Sequence, residues 1–208
     1  DKRWYVVGLD INEQYNKDVL NQFYRVDLQV EDEIKEGVDA VIKSVKRIDC
    51  VVNCAALQIC KTLVQTTLDD FKRVLGCNLV GPFLLSKECY PHLVKTEGSV
   101  VNIGSVHSLA TSKGIGAYAT SKAGLAGMTR NMALEFAQDG VRVNCVSPGA
   151  IDTDMLRDGL GRTDITMLQF ERKHPMGRIG QPVDVANMVY FLADKEKSGN
   201  ITGVNYVV

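Results

Sequence analysis

Tyr118 and Lys122 lie four residues apart in the run Ala117-Tyr118-Ala119-Thr120-Ser121-Lys122. On a helix, side chains at that spacing stand one above the other, so the phenol and the ammonium can meet. A free tyrosine titrates near about 10 and is a poor base at neutral pH, and a cation beside it favours the phenolate. At roughly 5 Å and an effective dielectric of about 20, the attraction is about 3 kcal/mol, enough to carry the phenol toward neutrality. A tyrosine so tuned can pass a proton to or from a carbonyl oxygen. The pair alone is a weak signal in a chain with 7 tyrosines, where a solvated helix face is the plain alternative. What singles it out is the company of Ser105 and Asn78 upstream.

The elements that must position these residues follow from the pattern of apolar runs. Strands are expected over residues 4–9, 23–26, 48–52, 99–103, 141–146 and 204–208, and helices over 31–46, 68–75, 79–94, 118–138 and 182–192. Gly98 and Gly140 stop the third and fourth helices, and Pro182 starts the last. Near-continuous Val/Ile strands separated by helices argue for an α/β fold, a parallel sheet covered on both faces in three layers. Ligands of such sheets bind beyond the carboxyl ends of the strands. Asp10, Asp27, Asn53, Ser105 and the pair Pro148-Gly149 all stand at strand ends, which brings them to one edge. Residues 153–174 show no clean period and are expected to form a lid over a pocket.

Length fits one domain, residues 1–208. A formal net charge of −1 without basic or acidic blocks points away from nucleic acid and from an anionic membrane surface as partners. No apolar stretch reaches the ~18 residues of a membrane span. Cys50, Cys54, Cys60, Cys77, Cys89 and Cys145 form no Cys-x-x-Cys pair and have no histidine cluster beside them. They read as buried free thiols of a reducing compartment, not as a metal or disulfide set, so no metal and a cytoplasmic location are expected.

With these residues in place the chain resembles the short-chain dehydrogenase/reductase family, in its shorter single-domain form, over essentially its whole length. Asn53-Cys54-Ala55-Ala56 is similar to the family's Asn-Asn-Ala-Gly, and Asn78 in Asn78-Leu79-Val80-Gly81 to its structural and relay asparagine. Ser105 stands before Tyr118 at the family's spacing. Pro148-Gly149-Ala150-Ile151-Asp152-Thr153 resembles the Pro-Gly-x-x-x-Thr segment that holds nicotinamide. Gly177-Arg178-Ile179-Gly180-Gln181-Pro182 and Ile201-Thr202-Gly203 resemble its closing segments.

The resemblance implies a Rossmann-like doubly wound sheet and hydride transfer between a nicotinamide cofactor and a secondary alcohol or ketone. Tyr118 is the implied general acid/base. Lys122 tunes it and binds the nicotinamide ribose, Ser105 polarises the substrate oxygen, and Asn78 holds a water linking Lys122 to solvent. Implied cofactor contacts are Asp10, Asp27, Leu28, Asn53, Ala55, Tyr118, Lys122, Pro148, Gly149, Ile151 and Thr153. Asp10 can accept the ribose hydroxyls of NAD and repel the 2′-phosphate of NADP, so NAD is the expected cofactor. His107 and Met155 are the expected substrate contacts, and a homotetramer or homodimer is the expected assembly. Plainer readings stay open: Ser105 as a turn cap, Asn78 and Thr153 as helix caps, Asp10 and Asp27 as loop residues. An NADPH-dependent 3-ketoacyl reductase and a non-catalytic scaffold are the alternative functions.

The chain departs from the family at its start. The family's first strand and Thr-Gly-x-x-x-Gly-x-Gly turn, which cradles pyrophosphate at a helix N-terminus, have no counterpart; Asp1-Lys2-Arg3-Trp4 reads as the approach to the second strand. In the order 3-2-1-4-5-6-7 the absent strand is central. Burying its roughly five apolar side chains would be worth about 10 kcal/mol, comparable to the whole stability of about 5–15 kcal/mol of a domain. The 208 residues are therefore expected to be a piece of a longer chain. Ala56 for glycine and Gly104 for a frequent serine are smaller departures.

Overall fold

The computed structural model describes residues 4–13, 18–161 and 166–208. Two parallel sheets carry the fold. β1 (Val7–Asp10) pairs with β2 (Gln22–Arg25). The larger sheet runs β3 (Cys50–Asn53), β4 (Ser99–Ile103), β5 (Arg142–Ser147), β6 (Asn205–Val207) in that spatial order. β4 and β5 are its centre: Val100, Val101, Val143, Cys145 and Val146 are wholly buried. Parallel strands covered on both faces need such continuous β-branched runs.

Helices supply the cover. α1 (Glu31–Val45) opens on Glu31, Asp32 and Glu33, whose charge suits the positive end of the helix dipole, and buries Ile34, Val38 and Val41 at helical spacing. α2 (Leu68–Leu75) starts on a reciprocal Thr67–Asp70 capping box. A five-residue π-helical turn, Gly76–Val80, joins it to α3 (Gly81–Thr96). α4 (Gly116–Phe136) is the longest helix. It ends in a short turn closed by Gly140, whose φ of 73° favours a residue without Cβ. One apolar cluster joins α1, α3 and α4 to strands β3 to β5, through Ile34, Val38, Leu85, Leu93, Val100, Met132 and Val143. A second, around Leu192, seats α7 (Pro182–Ala193) on the face carrying Val101 and Val146.

The α/β parallel architecture is the one expected, and most boundaries fall within two residues of the sequence reading. Three differ. Residues 79–94 are not one helix, because the π turn takes the first of them. Residues 153–174 hold two short helices, α5 (Asp154–Leu160) and α6 (Met167–Glu171), each capped by a threonine, Thr153 and Thr166; Arg162, within that stretch, lies outside the described residues. A last short helix, α8 (Lys195–Ser198), follows α7. β1 does not pair with β3. Between them lies a trough of about 1060 Å³, lined by Val7, Leu9, Leu28, Val38, Val51 and Leu85. The gap falls where the sequence reading places the family's first strand.

Candidate active site

The carboxyl ends of β3, β4 and β5 point to one edge of the larger sheet, as parallel pairing requires. Two of them, β4 and β5, place the central turn. β4 ends at Ile103, Gly104 follows, and Ser105 opens a tight turn, Val106–Ser108. That turn is tied to the end of β5: Gly104 N–H donates to Val146 O at 2.7 Å and Val106 N–H to Pro148 O at 3.0 Å. Gly104 has no room for a side chain, since a Cβ would meet Ser147 Oγ at 2.5 Å and Cys145 Sγ at 2.6 Å. Any side chain here would have to displace both.

α4 brings Tyr118 and Lys122 to this turn on one face. Lys122 Nζ lies 5.7 Å from the centre of the Tyr118 ring. The Ser105 hydroxyl stands near enough to the phenol to pull its pKa down. Lys122 is only 2% exposed, and its Nζ donates to Ile103 O at 2.7 Å. One carbonyl satisfies one of three ammonium protons, which leaves a buried cation with donors to spare. The wall behind Tyr118 is apolar: Val74, Ile115 and Ala117, with Leu57, Ile59 and Phe71 packed on them.

The electrostatics differ from the sequence expectation. Burial pushes the Tyr118 phenol above its ordinary value, and the Ser105 hydrogen bond is the influence that pulls it down. Lys122 contributes no resolved lowering. Burial depresses the lysine's own pKa, against weak opposition from Cys54, Cys145 and Cys77. Desolvation therefore sets the direction of the phenol's shift, and the Lys122 ammonium is turned to the Ile103 carbonyl.

Asn78 stands behind this cluster with its side chain fully engaged. It is completely buried in the π turn. Its Oδ1 accepts from Leu57 N–H at 2.7 Å, and its Nδ2 donates to Leu57 O at 2.9 Å and Ser121 Oγ at 3.0 Å. Both amide protons are spent, so the side chain braces residue 57 against α4. Ser121 completes the brace by donating to Tyr118 O at 2.7 Å. Sequence reading passed over Ser121; its place three residues after Tyr118, where a hydroxyl bonds back to its own helix, was the available signal.

The remaining expected contacts are placed as follows. Asp10 is exposed at the end of β1, with Oδ1 accepting from Asn12 N–H at 2.8 Å. Asp27 makes the same local turn with Gln29 N–H, and Leu28 beside it is buried. Asn53 turns its amide inward, to Ser86 and Asn102, and its Oδ1 is buried without a partner. Asn102 continues this polar chain to Thr129, a link the sequence reading missed. Cys54 is exposed and Cys50, Cys60 and Cys77 are half-buried, so only Cys89 and Cys145 are the buried thiols expected. Pro148, Gly149 and Ile151 follow β5, with Gly149 N–H held by Val208 O and Ile151 bridged to Gly180. Thr153 caps α5. Met155 is exposed on α5 and joins none of the apolar clusters. His107 sits in the Ser105 turn, edge-on to Tyr118.

Comparison with known proteins gives this edge its class. A family model described as enoyl-(acyl carrier protein) reductase matches residues 7–208. The 3-oxoacyl-[acyl-carrier-protein] reductase FabG of Thermotoga maritima is 36% identical over 186 residues, 88% of this chain and 74% of that protein. The chain belongs to the short-chain dehydrogenase/reductase family. A meso-2,3-butanediol dehydrogenase of Serratia marcescens is 33% identical, covering 84% of this chain and 68% of its own length. Among solved structures, the aldohexose dehydrogenase of Thermoplasma acidophilum superposes with a TM-score of 0.90 at 29% identity, over 98% of this chain and 82% of that one. ElxO with NADP bound gives 0.82 at 30% identity, over 89% and 75%. This member is accordingly a hydride-transferring oxidoreductase acting on CH–OH groups of small molecules with a nicotinamide cofactor.

The site residues fit such a cofactor at two of its parts. The Lys122 ammonium has unspent protons for ribose oxygens, and the exposed Asp10 carboxylate stands beyond β1, where an adenosine ribose is taken in folds of this kind.

Proposed function

We propose that this chain is an NAD-dependent dehydrogenase or reductase of secondary alcohols and ketones, in which Tyr118 moves the proton. The observation that carries the reading is the meeting of Ser105, Tyr118 and Lys122 in one buried cluster at the carboxyl edge of the sheet. The nicotinamide supplies hydride transfer to or from the substrate carbon. In reduction the Tyr118 hydroxyl gives its proton to the carbonyl oxygen as that oxygen gains charge. In oxidation the phenolate takes the alcohol proton as the carbon gives up hydride with its electron pair and the C=O bond forms. Ser105 donates to whichever oxygen carries the negative charge, substrate or phenolate. Lys122 is fixed by Ile103 O and offers its other protons to the ribose; Asn78 and Ser121 keep α4 in register with residue 57. Pro148, Gly149, Ile151 and Thr153 line the nicotinamide side, and Asp10, Asp27, Leu28, Asn53 and Ala55 the adenosine side.

Cofactor choice rests on Asp10. Its carboxylate accepts two ribose hydroxyls and repels a 2′-phosphate. The FabG relative and the NADP-bound structure favour the other reading, an NADP-dependent 3-ketoacyl reductase. Initial rates with the two cofactors decide between them. The proposal expects kcat/KM with NAD above that with NADP, and Asp10→Ser to move the ratio toward NADP by about tenfold or more, the equivalent of one charge-assisted hydrogen bond. Equal use of both by the wild type supports the ketoacyl reductase. A homo-oligomer of cytoplasmic type completes the proposal; Val80 at the end of the π turn and Phe83 in the first turn of α3, both exposed, are the apolar residues offered to a second copy.

A further inference from the structure

A chain of buried polar side chains joins the sheet to α4, and the proton step does not use it. Asn53 Nδ2 donates to Asn102 Oδ1 at 2.7 Å, Asn102 Nδ2 to Thr129 Oγ1 at 2.9 Å, and Thr129 Oγ1 to Leu125 O at 2.8 Å. Asn53, Asn102 and Thr129 are each at most 3% exposed. The donors all point the same way, so each bond polarises the next. Polar groups are costly to bury where apolar side chains could fill the space, so the placing of this chain carries information. Asn102 immediately precedes Ile103, whose carbonyl accepts from Lys122 Nζ. Thr129 stands seven residues after Lys122 and eleven after Tyr118 on α4, intervals that return to the same face of a helix.

α4 therefore meets β4 at two polar points, Lys122 on Ile103 O and Thr129 on Asn102. Its packing through Met132 and Ala133 is apolar. Apolar burial is non-directional and tolerates a slide or a roll of the helix; a hydrogen bond between two buried side chains has a narrow range of length and angle and does not. The Asn78–Ser121 brace ties α4 to residue 57 and leaves its position against β4 open. The Lys122 ammonium has to keep protons for a ribose, so the second polar point is the one free to fix the helix. We infer that Asn102 and Thr129 are positioning residues: their hydrogen bond sets where α4 stands along β4, and through it where the Lys122 ammonium and the Tyr118 phenol meet cofactor and substrate. The inference rests on the roles proposed for Tyr118 and Lys122 and adds two residues that act through them.

The test compares wild type with Thr129→Val, which keeps the shape and removes the hydroxyl, and with Thr129→Ser, which keeps the hydroxyl. Acetylation of lysines by acetic anhydride, read by peptide mass spectrometry, reports the Lys122 amine without cofactor or turnover. Thr129→Val is expected to speed labelling of Lys122 about tenfold or more through local opening, with alkylation of the buried Cys89 unchanged. The same variant is expected to bind NADH about tenfold more weakly by calorimetry, the size of one misplaced charge-assisted hydrogen bond. Its kcat falls, and its KM for the alcohol or ketone stays near wild type. Thr129→Ser recovers all of these. Should Thr129→Val fail to fold, Asn102→Leu with Thr129→Val removes both partners together, orphans no donor at that contact, and is expected to show the same faults. Three results overturn the inference: Lys122 labelling at the wild-type level in the folded Val variant, Lys122 and Cys89 labelling that rise together, as a general loosening of the core would make them, or a Thr129→Ser enzyme as impaired as Thr129→Val. Failure of the parent reading shows separately, as a wild type that binds no NADH or a Tyr118→Phe enzyme that retains turnover.

Discussion

Lys122 concentrates the residue-scale problem. A lysine buried to 2% exposure and held by one carbonyl is a cost to folding that a purely structural position would avoid, because a buried charge normally finds an opposite one. The phenol beside it is shifted by burial, with the Ser105 hydrogen bond opposing. With the phenol pushed up by desolvation, Tyr118 is protonated at neutral pH, ready as an acid and not yet as a base. The sign for each direction follows. Carbonyl reduction is expected to hold flat through neutral pH and fall only at alkaline pH. Alcohol oxidation is expected to climb as pH rises toward the ordinary tyrosine range. Profiles of kcat/KM against pH in both directions measure this, and an oxidation plateau below pH 8 would return the tuning role to Lys122. The four central residues were legible from side-chain type and spacing, since a four-residue helical interval dictates a shared face. The direction of the phenol's shift was not, because desolvation depends on what packs over the ring: Val74, Leu57 and Phe71 come from distant parts of the chain.

At the scale of elements, the π turn and the capping box of α2 hold the wall behind Tyr118. Asp70 accepts from Thr67 N–H, its own N–H is bonded by Thr67 Oγ1, and its Oδ2 pairs with Lys61 Nζ at 2.6 Å. Lys61 is in turn bridged to Ile115, immediately before α4. The Lys61 hydrogen bond and then those of Thr67 hold the Asp70 carboxyl down to about 2, from an ordinary 3.8. A folded-state pKa below the unfolded one contributes stability that is present above 3.8 and is lost as pH falls toward 2. Asp70→Asn is therefore expected to melt below wild type at pH 7, with the difference shrinking across that window; a difference that persists at pH 2 contradicts the assignment. Sequence spacing showed α2 because its apolar face is regular. It hid the π turn because an extra residue in a helix leaves composition and hydrophobic content unchanged, and only the packing of Asn78 reveals it. Residues 153–174 hid two helices for another reason: both are too short for a period to register, and threonine caps define them.

Across the whole molecule the two sheets differ in protection. β5 is buried along its full length between β4 and β6, whereas β1 and β3 each border the trough on one side. Backbone groups on such edges lack ladder partners, and local opening there is less costly than in the core. In residues 1–208 by themselves, hydrogen exchange resolved by residue is expected to show the trough-facing amides of β1 and β3 exchanging at least about a hundredfold faster than those of β5; uniform protection across both sheets contradicts this picture. The split at the trough was foreseeable from the absent glycine-rich turn, while its lining by α1 and α3 side chains came only with the coordinates. All of these scales serve one proton carrier. The direct test is Tyr118→Phe, which keeps the ring and its packing but has no proton to give. With wild type turning over an alcohol or ketone by nicotinamide absorbance, the variant is expected to lose about 10²–10⁴ in kcat while its circular dichroism and melting stay close to wild type. A folded Tyr118→Phe protein that keeps most of the wild-type rate would contradict the account.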